Sequence, residues 1–216
     1  MQRTRMSLLS LGAPLAGCMM VEEDSFVVDE PLVGLVVEMS SGDVEVAPGP
    51  EGQATVDLEF GGLGYDGIDR EVVDGVLWLD LRCRGACGGD LSVALPPGAW
   101  ADVRLSAGDV SVEDLDASVR VHVGAGAIEA WNLSGDEVDL ATAAGSIDAV
   151  LEPEVRSVTA DAGAGEAALV VDGGAWRLST DAGSGHVSTD GVHHDADSQR
   201  VLAAQAGAGS VDIVGE

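Results

Sequence analysis

The stretch VDLATAAGSIDAV at residues 138–150 constrains this chain more than any other, because it recurs. Close variants read ADVRLSAGDVSV, VRVHVGAGAIEA, VTADAGAGEAAL, LSTDAGSGHVST and LAAQAGAGSVDI, and a more distant copy, LVVEMSSGDVEV, lies near the N-terminus. Aligned on the last glycine of each bend, the copies centre on Gly42, Gly108, Gly126, Gly145, Gly165, Gly185 and Gly209. The step from Gly42 to Gly108 is long, the steps from Gly108 to Gly185 are nearly equal, and the last, to Gly209, is slightly longer. A sustained period of about twenty residues is the mark of a stacked repeat architecture.

Within each copy the apolar and small residues alternate with polar ones. Three residues before the glycine stand Leu105, Val123, Thr142, Ala162, Ala182 and Ala206, and two after it stand Val110, Ile128, Ile147, Ala167, Val187 and Val211. An intervening column holds Arg104, His122, Asp161, Asp181 and Gln205. Period two with one dry face and one wet face predicts strands, not helices. The residue before each bend glycine is Ala or Ser, which predicts close approach of neighbouring coils. Stacking at the strand spacing of about 4.8 Å would place Asp161 beside Asp181 and Glu129 beside Asp148 on adjacent coils.

The fold expected from this pattern is all-β: a parallel β-solenoid, β-helix-like, with about 20 residues per coil. The alternative is an antiparallel meander or sandwich in which each repeat is a hairpin. Aromatic residues make up only 3% of the 216 residues, so Val, Ile, Leu and Ala must fill the interior. That composition suits a narrow stacked coil.

Charge excludes one class of partner. There are 38 acidic side chains against 10 basic ones, all Arg, for a formal net charge of −28. Nucleic acid would be repelled. Divalent cations, calcium first, are the ions such a surface could take up weakly; no other cofactor is expected.

Residues 1–18 read MQRTRMSLLSLGAPLAGC. Arg3 and Arg5 precede a short apolar run that is too short to span a bilayer, which needs about 20 residues, and has the build of an export signal. Its end, LAGC at residues 15–18, resembles the lipobox of bacterial lipoproteins, which implies lipidation of Cys18. Met19, where Asp would imply inner-membrane retention, implies the outer membrane. Residues 19–33 are acidic and read as a tether. Residues 34–100 read as irregular N-terminal coils and a cap, with strands expected at 35–46, 54–60, 76–83 and 91–95 and turns at Gly61-Gly62, Asp74-Gly75 and Gly88-Gly89. Residues 101–216 carry the regular repeats, and the last step is longer because GVHHDADSQR is inserted before the final copy.

Cys83 and Cys87 sit in RCRGACGG. In an exported chain they are expected to form a disulfide across a glycine-rich loop. No CxxC pair supports zinc. His193, His194, Asp195 and Asp197 are the weak candidates for a metal site; a solvated polar loop is the plainer reading, because adjacent side chains in an extended chain point to opposite sides.

The GxG phrases are followed by strand patterns, not helices, so they are not dinucleotide loops. They lack the Asp positions of calcium-binding nonapeptide repeats. Arg104, Arg120, Arg156, Arg177 and Arg200 fall one per coil, which speaks against the clustered carboxylates and cations of a polysaccharide-cleaving β-helix. Trp131 and Trp176 are the candidates for stacking on sugars, but a lone Trp more often covers a core.

The run DLSVALPPGAWADVRLSAGDVSV, with its V-x-L-P-x-G step at 93–98 and the recurring x-x-G-S/D-V/I bend, resembles a bacterial putative-adhesin, or β-strand-repeat, domain family of unknown function. The resemblance covers roughly residues 35–214. It implies an extracytoplasmic β-solenoid and no catalytic residues. Together these readings predict a lipid-anchored cell-envelope protein, not an enzyme. Its solenoid would engage a protein or polysaccharide partner of the envelope. The alternatives are a carbohydrate-active enzyme on the same scaffold and an envelope sensory module. Three carboxylates with an Arg in one cleft would mark the enzyme; one apolar strip on a solvated surface would mark a binder.

Overall fold

A computed structural model describes residues 21–62, 68–81 and 87–216. The described chain is all-β. Its first strands are β1 (Val21–Val28), β2 (Gly34–Pro48), β3 (Ala54–Gly62), β4 (Asp69–Val73), β5 (Val76–Leu81) and β6 (Cys87–Leu95). Paired strands of successive coils follow: β7 (Trp100–Ala107) with β8 (Val110–Glu113), β9 (Val119–Ala125) with β10 (Ile128–Leu133), β11 (Glu137–Ala144) with β12 (Ile147–Leu151), and β13 (Ser157–Ala164) with β14 (Ala167–Val171). The chain ends with β15 (Ala175–Ala182), β16 (His186–Asp190), the short β17 (His193–His194), β18 (Val201–Ala208) and β19 (Ser210–Gly215).

Each regular coil gives one strand to each of two facing sheets, joined at a bend glycine, and β2 bends at Gly42 to serve both. In one sheet the order is β4, β5, β2, β7, β9, β11, β13, β18, β15. In the other it is β1, β3, β6, β2, β8, β10, β12, β14, β19, β16. These are called the first and second sheets below. Pairing is parallel between coils and antiparallel only where β1, β3 and β4 join one end. This is the parallel solenoid expected from the alternation, and the hairpin alternative is set aside.

The alternating pattern produces the core directly. Val103, Val121, Leu140 and Ala160 in one column, and Val110, Ile128, Ile147 and Ala167 in the facing one, are all buried. Thr142 is the polar member of its column, and its hydroxyl donates to the Gly126 carbonyl at 3.0 Å. A lone coil cannot bury its inner side; stacking completes the burial.

The bend glycines stack on one another. A Cβ on Gly108, Gly126, Gly145, Gly165 or Gly209 would run into the backbone carbonyl of Gly42, Gly108, Gly126, Gly145 or Gly165 respectively, and each of the five has a positive φ, between 128° and 154°. Gly42 closes the column against Gly89 with φ 119°. Gly185 stacks on Gly209, but its φ lies outside that range.

Spatial order departs from sequence order at two points. β2 lies between the coil of β5 and β6 and the coil of β7 and β8. The last repeat, β18 and β19, slips between the coil of β13 and β14 and the coil of β15 and β16. Asp161 and Asp181 are therefore not neighbours: Gln205 pairs with both and separates them. Glu129 and Asp148 do pair. The step from Gly42 to Gly108 is long because it holds β3, β4, β5 and β6, with residues 96–99 alone passing β2 to reach β7; the step from Gly185 to Gly209 is longer because residues 191–200 carry the chain over a coil.

Residues 191–200 make the second crossing. Trp176 is buried beneath them, its indole donating to the Asp172 carbonyl at 2.9 Å, with the Arg200 guanidinium 3.8 Å from the ring centroid. Arg200 also pairs with Asp172 at 2.6 Å. At the other end, residues 21–28 are not a free tether; they form β1, paired along its length with β3. Asp74 and Gly75, both at positive φ, make the tight turn between β4 and β5. Gly88 and Gly89 lie inside β6, not at a turn.

Candidate functional site

The outer face of the first sheet, at its β4 end, carries the most concentrated chemistry. One outward column runs Glu71, Trp78, Val36, Asp102, Arg120, Asp139. Beside it run Val73, Val76, Gly34 and Trp100 on one side and Asp69, Asp80, Glu38, Arg104 and His122 on the other. Trp78 is 46% exposed and Val73 43%. With the part-exposed Val76 and Trp100 they form an apolar strip over the buried Val36, on an otherwise charged surface in a chain poor in aromatic residues.

The strip meets a ladder of ion pairs. Arg104 reaches Asp102 Oδ2 at 2.9 Å and Glu38 Oε1 at 3.4 Å. Arg120 Nε donates to Asp139 Oδ2 at 3.1 Å, and its terminal nitrogens stand 3.9 Å from Asp102 and from Glu137. His122 Nε2 lies 3.6 Å from Asp139 Oδ2. Asp102 is 8% exposed, and its Oδ1 is buried with no hydrogen-bond partner. Trp100, Asp102, Ser118, Arg120, Glu137 and Asp139 line a cleft of about 290 Å³. A shallower hollow of about 710 Å³ lies by Trp78, between Glu38, Asp69, Arg70, Glu71 and Asp80.

Arg104 and Arg120 are thus not scattered. Their one-per-coil spacing is what brings them together, because stacking turns a separation of nearly a whole coil in sequence into a single rung. The cleft holds three carboxylates with an Arg, the pattern expected of an enzyme, and it adjoins the apolar strip expected of a binder. Each of the three carboxylates faces a guanidinium, so they form a fixed array of acceptors and donors.

The outer face of the second sheet is acidic. Asp43, Glu45, Asp90, Asp109, Glu113 and Glu129 border a groove of about 570 Å³. Two of them serve the backbone: Asp43 accepts from the Asp109 amide at 3.0 Å and Asp109 from the Ala127 amide at 2.7 Å.

The other expected site residues are placed as follows. Cys18 and Cys83 lie outside the described residues. Cys87 opens β6 half-buried, its carbonyl accepting from the Ser41 hydroxyl. His193 and His194 form β17 against Ala175 and Trp176. His194 Nδ1 accepts from the Leu178 amide at 3.2 Å, and Asp195 Oδ1 from the Asp197 amide at 2.9 Å. Among the described residues no three His, Cys, Asp or Glu side chains gather in a metal-binding group. Of the two tryptophans put forward for sugar stacking, Trp176 is buried and Trp131 is half-exposed on the second sheet. Trp78 and Trp100, which face outward together, were the ones to single out. Their shared side follows only from the pairing of β5 and β7 with β2.

A two-sheet parallel solenoid with bend glycines in register defines the class: a β-solenoid domain of repeated strands. The chain belongs to the Toastrack DUF4097 family, whose model matches residues 29–214. Among solved structures, a "putative cell adhesion protein" from Clostridium sporogenes is 14% identical with a TM-score of 0.53, covering 91% of this chain and 100% of that one. A "putative adhesin" from Parabacteroides merdae is 11% identical with a TM-score of 0.38, covering 89% and 95%. No curated protein matches the chain.

Proposed function

We propose that this protein is a lipid-anchored component of the bacterial cell envelope whose solenoid engages a partner without catalysing a reaction. The observation that carries this reading is the strip of exposed Val73 and Trp78 with part-exposed Val76 and Trp100 beside the Asp102–Arg120 ladder. An exposed apolar patch rimmed by polar residues is the kind of surface that marks an interaction site. The cell-adhesion description of the Clostridium sporogenes neighbour supports an interaction role at the cell surface. The LAGC motif at residues 15–18 supports lipidation of Cys18, and Met19 in place of Asp supports attachment to the outer membrane. In that oxidising setting Cys83 and Cys87 form a disulfide.

The test has two parts. Cys18→Ser should abolish acyl labelling and release the chain from membranes; retention with unchanged labelling rejects the anchor. Envelope extracts passed over the immobilised chain should yield a retained partner, and loss of that retention on Trp78→Ala assigns it to this face.

A second reading is favoured by one observation, the three carboxylates with Arg120 in a single cleft. On that reading the chain cleaves an envelope polysaccharide, and the purified chain would release reducing ends.

A further inference from the structure

We infer that the strip and cleft on the outer face of the first sheet form a binding site for a neutral polysaccharide. Three features of the site select this ligand.

The first is the aromatic pair. Trp78 and Trp100 stand on the same face, two coils apart, which is roughly 10 Å along the stack. Trp100 lies against the backbone of Gly34, so its indole is held flat on the sheet. A sugar ring has an apolar C–H face and a rim of hydroxyls. Two indoles at that spacing on one face can take the apolar faces of separate rings of one chain, while adjacent polar groups take the hydroxyls.

The second is the state of the charges. Arg104 and Arg120 are paired with Asp102, Asp139 and Glu38. The guanidinium forks still offer donors and the carboxylates still offer acceptors, but opposite charges offset one another across the ladder. Around it the chain is strongly acidic, at a formal −28. An anionic polymer is repelled, and both guanidinium groups of the ladder are already paired. A neutral polyhydroxyl ligand meets paired donors and acceptors.

The third is the cleft itself: beside the strip, Trp100, Ser118, Arg120, Glu137 and Asp139 line a hollow of about 290 Å³, where hydroxyl, guanidinium and carboxylate groups can meet the hydroxyls of a sugar. A protein partner fits less well: the buried core of a stable protein interface is apolar, and the exposed apolar part here is only Val73, Val76, Trp78 and Trp100, flanked at once by ion pairs.

Polysaccharide binding presupposes the interaction role proposed above, and one experiment separates the two. The full chain in detergent is run in native gels containing neutral polysaccharides (a glucan, a mannan, a galactan and a xylan) and, at matched ionic strength, anionic ones (hyaluronan and alginate). At least one neutral polymer should retard it and shift its indole emission. Trp78→Ala and Arg120→Lys should each weaken retardation by about tenfold, as loss of a central aromatic or a bidentate fork does. Trp131→Ala, on the other sheet, should not. Arg120→Lys keeps the charge, so it remains informative if Trp78→Ala fails to fold.

Retardation by no neutral polymer, by anionic polymers alone, or equally in both variants overturns the polysaccharide site. If the variants also still bind envelope vesicles as the parent does, an interaction elsewhere on the chain survives. Release of reducing ends from the retarding polymer keeps the ligand class but removes the non-catalytic reading.

Discussion

Trp100 lies where a side chain on Gly34 would stand: the nearest neighbours of a Cβ built on Gly34 are three carbons of the Trp100 indole. The two residues are register partners on β7 and β2, strands that lie far apart in sequence with four others between them. Gly34→Val should displace the indole, cost about 1–3 kcal/mol of stability by overpacking, and alter tryptophan emission. Chemical denaturation followed by fluorescence measures both. An unchanged midpoint with unchanged emission would mean that Trp100 does not rest on Gly34.

The glycine column sets a second expectation. Gly145 has φ 151° and faces the Gly126 carbonyl, whereas Gly52 has φ 73° with nothing within 4 Å of a Cβ. Gly145→Ala combines backbone strain with a backbone clash and should cost at least about 3 kcal/mol; Gly52→Ala carries the strain alone, about 1 kcal/mol. Equal losses in urea denaturation would contradict the stacking of bends.

Inside and outside separate cleanly at Ile147 and Asp148. Ile147 is fully buried, and the neighbouring Asp148 faces outward. Ile147→Asp buries an unpaired charge between coils and should cost about 3–5 kcal/mol or abolish folding, while Asp148→Asn should change stability by no more than about 0.5 kcal/mol. Comparable effects from the two substitutions would reverse the assignment of faces.

Glu129 and Asp148 are register partners on adjacent strands. Like charges directly opposite are destabilising, so Glu129→Gln should add about 0.5 kcal/mol at low salt and less as salt screens the pair. If calcium bridges these acids, it should raise the melting temperature of the parent chain more than sodium or magnesium does at matched ionic strength, and raise that of Glu129→Gln less. Identical curves for the three cations would leave only general screening.

Much of this was legible in the chain itself. Alternation of Val, Ile and Ala with polar residues is a local property. A strand with one dry face has few alternatives once the pattern repeats about every twenty residues. The bend glycines were legible for the same reason: the turn between facing sheets must be sharp, and only glycine tolerates the φ and the carbonyl of the next coil. The buried columns at Val121, Leu140, Ile128 and Ile147 follow from that period alone.

The order in which coils stack was decided only in three dimensions. Every coil offers the same apolar columns, so the repeat pattern cannot say which coil lies next to which. Long-range pairing inserted β2 and β18 out of sequence. That insertion put Gln205 between Asp161 and Asp181, and it brought Gly34 under Trp100 and Val36 between Trp78 and Asp102. It also placed an aromatic strip against an ion-paired ladder. Sequence period determines which way each side chain faces, because that depends on its immediate neighbours. The neighbours it meets across the stack depend on hydrogen bonds between distant strands, and only the folded chain selects them.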